Sequence, residues 1–247
     1  MAHIFLSPHF DDAVYSCGAR IYTLTQQGHE VIIFTLMAGE PDFPIPDTPV
    51  LRDNHTRWQV GDNPIIARKQ EDTQASTILG ATTRYLDLAD CIYRVDDGEA
   101  LYPSEDSLWK NIHPNDPAIN RLDSLTFSEA DILYAPLGVG EHVDHLIVRD
   151  WAWKLAQKHA VTVKFYLEYP YLRDTEKVEQ AYSAFPTDLN RIKLPFSEKA
   201  MQKKIQAMRA YQSQIKSFWA DEAEIDNEVR QTFTVNEQFI EEFAETN

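Results

Sequence analysis

The sequence predicts an α/β protein: a doubly wound, mostly parallel sheet with helices on both faces, a Rossmann-like three-layer sandwich. Three observations predict it. Short apolar runs of strand length recur, stretches of helical period lie between them, and the strand-helix-strand spacing repeats along the chain.

Each element can be justified in order. His3 to Ser7 is too short for a helix and reads as a buried strand ending at Ser7-Pro8. Val14, Cys17, Ile21 and Leu24 then recur at three- and four-residue spacing, and Gly28 stands where a helix C-cap belongs. Val31 to Leu36 is a continuous β-rich run, so the first unit implies a parallel strand pair. Ala67 to Leu79 reads as a helix with Ala75, Ile78 and Leu79 inward. Gly80 ends it before a strand around Arg84 to Leu88. The unit returns as a strand over Asp131 to Ala135, a helix over Val143 to Lys158 with Val148, Trp151, Ala152 and Leu155 inward, and a strand over Val161 to Glu168. The tail is expected to hold a long charged helix from Ser197 to Trp219, a strand near Thr232 and a short acidic helix. Two stretches resist the pattern, at about 40–66, which holds five prolines, and about 90–127. They are expected to be irregular insertions in a single domain spanning 1–247, and loops of that length are commonly functional covers.

Composition narrows the function classes. A balance of 23 Lys and Arg against 39 Asp and Glu, net charge -16, repels phosphate backbones and anionic lipid surfaces, so nucleic acid is not expected as a partner. There is no run of about 18 apolar residues, and the N-terminus enters a strand without a signal-peptide pattern, so no membrane insertion and a cytoplasmic location are expected. Of two cysteines, Cys17 falls on the apolar side of a predicted helix and is expected to be a buried free thiol. Oligomerisation stays open.

The chemistry lies at two strand ends. Ser7-Pro8-His9-Phe10-Asp11-Asp12 follows the first strand, and Gly138-Val139-Gly140-Glu141-His142-Val143-Asp144-His145 follows the later one. Open α/β sheets bind ligands at this edge. Imidazole and carboxylate are zinc ligands, and three protein ligands plus water are the usual catalytic arrangement. Each aspartate alone could serve as a helix cap. Two segments that each pair a His with an Asp at a strand end favour a site.

His9-x-Asp11-Asp12 together with His142-x-Asp144-His145 resembles the LmbE-like or PIG-L zinc N-deacetylase family. Further matches are Thr35 to Glu40, Arg68-x-x-Glu71 with Leu79-Gly80, Pro136, Lys204 and Ser213-Gln214. The resemblance implies that His9, Asp12 and His145 ligate one Zn2+, with Fe2+ an alternative for such a set. It implies that Asp11 is the general base, that His142 stabilises or protonates the intermediate, and that Asp144 orients His142. A His142 held protonated by Asp144 would suit a developing oxyanion. This chain has Ala13 and Phe10 where many members have Glu and Pro. It has Gly140 where some place a tyrosine, which leaves a carbonyl-polarising hydroxyl unassigned.

The expected substrate is a small N-acetylated molecule, an N-acetylglucosamine-containing conjugate first. Arg68, Phe43, Arg57 and Trp58 are its expected contacts, because aromatic faces stack on sugar rings and guanidinium groups grip hydroxyls. For Arg68, a helix pair with Glu71 is an equal alternative. Two rival readings are an amidase acting on a larger acyl group or a sugar-thiol conjugate, and a non-catalytic sugar or nucleotide-binding module. No Gly-x-Gly-x-x-Gly or Walker sequence supports the second.

Overall fold

A computed structural model of the chain describes residues 1–41, 44–59, 63–159, 161–219 and 222–246. The elements run β1 (Ala2–Ser7), α1 (Asp12–Gln26), β2 (Glu30–Thr35), α2 (Pro49–Trp58), α3 (Pro64–Leu79) and β3 (Thr82–Tyr85). A small hairpin β4 (Val95–Asp96) and β5 (Glu99–Ala100) and a short α4 (Ala118–Arg121) precede β6 (Ile132–Pro136), α5 (Val143–Lys158) and β7 (Thr162–Tyr166). The last third holds α6 (Thr175–Ala184), β8 (Leu189–Phe196), α7 (Glu198–Met208), α8 (Gln212–Phe218), α9 (Glu222–Phe233), β9 (Thr234–Val235) and β10 (Gln238–Thr246).

The main sheet has the order β3-β2-β1-β6-β7-β10-β8, with β9 paired to β10. The first five strands are parallel, and β10 lies antiparallel between β7 and β8. This is the predicted mostly parallel α/β sheet. Side-chain alternation along β1 shows why both faces are covered: Phe5 packs in one apolar cluster with Val14, Cys17 and Ile21 of α1, while Ile4 and Leu6 pack in another with Ile147, Val148, Trp151 and Ala152 of α5. The chain leaves β1 toward β2 on one side and pairs with β6 on the other. The two predicted motifs therefore flank the point where the strand order reverses, where such sheets form their crevice.

Three expectations need correction. The stretch at 40–66 is not wholly irregular: Thr48 caps α2 by accepting from the Leu51 N–H, Pro49 starts that helix, and Asn63 with Pro64 repeats the device for α3. A capping side chain followed by proline at the first helical position is a start signal, and here it outweighs the proline count. The long tail helix is broken into α7 and α8 around Arg209 to Tyr211, and the region near Thr232 ends α9 before β9. The expected acidic terminal helix is instead the sheet strand β10, and β8 had no counterpart in the sequence reading. Glu241 is the reason the pattern misled. It is 2% exposed, accepts from the Ala19 and Arg20 N–H groups of α1, and pairs with Lys204 Nζ at 2.8 Å, so an acidic side chain occupies an inward strand position.

Both cysteines are free and buried. Among the described residues no helix is long and apolar enough to cross a membrane.

Candidate active site

The end of β1 delivers His9, Asp11 and Asp12, with Asp11 at the N-cap of α1 and Asp12 in its first turn. The end of β6 delivers His142 at the N-cap of α5, followed by Asp144 and His145 in the first turn. Parallel pairing of β1 with β6 brings these segments together across more than 130 residues of sequence. His9 Nδ1 lies 3.2 Å and His145 Nε2 3.3 Å from the same oxygen, Asp12 Oδ2. The His9 N–H donates to that oxygen as well, at 2.7 Å.

Each imidazole is held from behind. His145 Nδ1 is 3.2 Å from Glu168 Oε1, and the Glu168 carboxylate is itself fixed by the N–H groups of Gly138 and Val139. His9 Nε2 is 3.0 Å from Asp144 Oδ2. Two imidazole nitrogens and one carboxylate oxygen, nearly buried and each imidazole backed by a carboxylate on its far nitrogen, are donors of the kind that could hold a divalent metal, with carboxylates behind them. His142 also approaches His9 and His145 closely enough to join a three-imidazole set. Its Nδ1, however, accepts the Asp144 N–H at 3.3 Å as the cap of α5, so only Nε2 remains for anything else.

Charge follows this geometry. Burial pushes the Asp11 carboxyl up to about 6, Asp12 adds to the rise, and Arg68 opposes it. Burial alone would also raise Asp12, but His145 and His9 outweigh it and hold that carboxyl well below its usual range. His145 is raised to about 9 because Asp12 and Glu168 overcome the cost of burial. His142 moves the opposite way: burial, then His9 and His145, hold it well below an ordinary histidine.

That result corrects the expectation of a protonated His142 paired with Asp144. The fully buried Asp144 carboxylate does not reach the His142 ring. Its Oδ1 is taken by Arg94, and its Oδ2 accepts the Cys91 N–H at 3.1 Å and faces His9 Nε2. The contact with His142 is made by the Asp144 backbone. With its carboxylate partner committed elsewhere and two imidazoles nearby, His142 rests neutral.

The site opens into a cavity of about 280 Å³ whose lining includes Arg57, Trp58, Arg68, Trp109, Tyr171 and Gln214. Of the expected substrate contacts, Arg57 and Trp58 come from α2 and Arg68 from α3, while Phe43 lies outside the described residues. Arg68 makes no pair with Glu71, which accepts instead from the N–H and hydroxyl of Ser213. The Arg68 guanidinium lies 4.5 Å from the Trp58 ring centroid and 5.2 Å from that of Phe10, and its Nη2 is 3.6 Å from Asp11 Oδ1. With its amide turned to satisfy its neighbours, Gln214 accepts from Trp58 Nε1 at 3.2 Å and Arg68 Nε at 3.3 Å.

Sequence reasoning missed Glu168, Asp90, Arg94, Trp109 and Tyr171. Glu168 carried a readable signal, a carboxylate ending an apolar strand on the ligand-binding edge. The others lie in stretches without periodicity. Gly140 shows why the tyrosine position could be vacated: a Cβ there would sit 2.9 Å from the ring of Tyr171, so absence of a side chain admits that ring beside His145.

Comparison with known proteins places the chain among deacetylase relatives by sequence and fold. The chain is 29% identical over 187 residues to the 2'-N-acetylparomamine deacetylase of Niallia circulans, an alignment covering 69% of this chain and 67% of that one. Its fold superposes on the zinc-inhibited form of teicoplanin deacetylase Orf2 with a TM-score of 0.83 at 22% identity, covering 99% of this chain and 97% of the other. A deacetylase-teicoplanin complex superposes with a TM-score of 0.80 at 24% identity, covering 99% and 98%. The family model for PIG-L, GlcNAc-PI de-N-acetylase, matches residues 4–156, which include both strand-end motifs, and the chain belongs to that family.

Proposed function

We propose that the protein is a zinc-dependent N-deacetylase that releases acetate from an N-acetylated amino-sugar conjugate. One observation carries the reading: His9 Nδ1 and His145 Nε2 both lie 3.2–3.3 Å from a single oxygen of Asp12, and Asp11 lines the same cavity. His9, Asp12 and His145 would hold the ion. When bound, it supplies Lewis acidity that polarises the amide carbonyl and makes water nucleophilic at neutral pH.

The remaining work falls to the chain's own groups. The Asp11 carboxylate takes a proton from the attacking water and returns it to the departing nitrogen as the C–N bond breaks. A base raised toward neutrality does this better than an ordinary aspartate. Arg68, clamped by Trp58, Phe10 and Gln214, fixes the orientation of that carboxylate. His142, with Nδ1 engaged as acceptor, carries its proton on Nε2 and serves as a neutral donor to the oxyanion. Positive charge added nearby lowers an imidazole further, which favours that neutral role.

The cavity fits a sugar. Trp58, Trp109 and Tyr171 offer aromatic faces, while Arg57, Asn54 and Glu105 offer polar contacts. The named relatives act on paromamine and teicoplanin derivatives, which supports an amino-sugar conjugate as the class. A screen of acetate release from N-acetylated aminoglycosides, glycopeptides, glycolipid headgroups and sugar-thiol conjugates tests the proposal. Stoichiometric acetate and free amine from one of these classes is expected, dependent on bound metal. Preference for a longer acyl group, or no hydrolysis of any class by the metal-loaded protein, would overturn it.

A further inference from the structure

Among the side chains that the stretch at 90–127 sends toward the candidate metal site, Arg94 is the one that pairs with Asp144. Its guanidinium is 4% exposed and bridges two carboxylates, Asp144 Oδ1 through Nη2 and Asp116 Oδ1 through Nη1 at 2.9 Å. Asp116 is held in turn by the Tyr102 hydroxyl at 2.7 Å and the Ala118 N–H at 2.9 Å. Three charged groups so deeply buried would be costly unless each is paired, and this network pairs them.

Asp144 needs such control. It belongs to two other donor groups close enough to hold an ion, one with Cys91 and His142 and one with His9 and Asp90. A free Asp144 carboxylate would therefore compete as a ligand. Engaged by Arg94 on Oδ1 and by the Cys91 N–H on Oδ2, it is left facing His9 Nε2 at 3.0 Å, where it can accept a proton carried on Nε2, while Nδ1 faces Asp12 Oδ2 at 3.2 Å.

We propose that Arg94 is a positioning residue for the metal site: by pinning Asp144 it selects the His9 tautomer that ligates through Nδ1 and withholds Asp144 from the ion. This rests on the reading of His9, Asp12 and His145 as ligands. Arg94→Lys keeps the charge but loses the planar fork that bridges Asp144 and Asp116. Tyr102→Phe loosens the same network at its far end without touching Asp144.

Zinc affinity, measured by competition with a chromophoric chelator, should fall about 10- to 100-fold in Arg94→Lys, the usual cost of an outer-shell change. Tyr102→Phe should lower the thermal midpoint yet keep the wild-type affinity. Wild-type affinity in Arg94→Lys, or an equal loss in Tyr102→Phe, would make Arg94 merely structural. Should Arg94→Lys not fold, histidine nitrogen NMR of the zinc-loaded wild type decides the matter. A proton on His9 Nε2 with Nδ1 bound is expected, and the reverse overturns the proposal. A wild type that binds no zinc would instead sink the ligand assignment itself.

Discussion

The two long excursions from the sheet look alike in the sequence but do different jobs around one centre. The first, at 40–66, folds into α2 and the start of α3, and it meets the cavity with Arg57 and Trp58. Its Arg52–Asp47 ion pair lies in water, with both side chains more than half exposed. The second, at 90–127, has little regular structure yet sends Arg94 and Asp116 to nearly complete burial and forms a bridge from Trp109 to His142. The difference teaches that regular structure does not measure how tightly a segment belongs to a site. Buried, paired charge does.

Five substitutions test that contrast. The largest effect belongs to the shared centre, which neither excursion supplies: Asp11→Asn should lower turnover by about 10²- to 10⁴-fold with metal content unchanged, as elemental analysis and acetate release would show. Normal turnover would move the base elsewhere, and Asp90 of the second excursion, 3.7 Å from His9, would then be the carboxylate to examine.

Next comes the second excursion itself. Asp116→Ala leaves Arg94 half paired in the interior and should cost about 3–5 kcal/mol in chemical denaturation, the range for breaking a buried ion pair. A loss below about 1 kcal/mol would mean the excursion is held by packing alone.

Beneath the first excursion, α3 is tied to the turn before α8 by Asp72, which accepts from the Tyr211 hydroxyl at 2.7 Å. Burial raises the Asp72 carboxyl to about 7. A folded-state value above the unfolded one means that ionisation opposes folding. The wild type should therefore lose stability relative to Asp72→Asn as pH rises from about 4 to about 7, with the difference level above that. A gap independent of pH would show that Asp72 is ionised throughout.

The smallest effect is expected on the outer surface of the first excursion. Arg52→Ala should change stability by no more than about 1 kcal/mol and leave KM untouched. Arg57→Ala, on the same helix but facing the cavity, should raise KM with kcat nearly constant, as loss of uniform binding does. Equal kinetic behaviour of the two variants would remove α2 from the substrate surface.

Local sequence determined the parallel core and the position of the chemistry. The apolar runs at β1, β2, β6 and β7 could be buried only as inner strands, and His9, Asp11, Asp12, His142, Asp144 and His145 stand at the ends of two of them. Tertiary structure decided the partners. Asp144 sits beside His142 in sequence yet gives its carboxylate to His9, 135 residues away, and to Arg94, 50 residues away. Glu168 supports His145 only because β7 pairs with β6, and β10 becomes a strand only because Lys204 and the backbone of α1 satisfy the inward Glu241. Periodicity reports which face a residue shows to the core. Which opposite charge waits there is fixed by the order of strands, and buried charges take whichever partner that order places within reach.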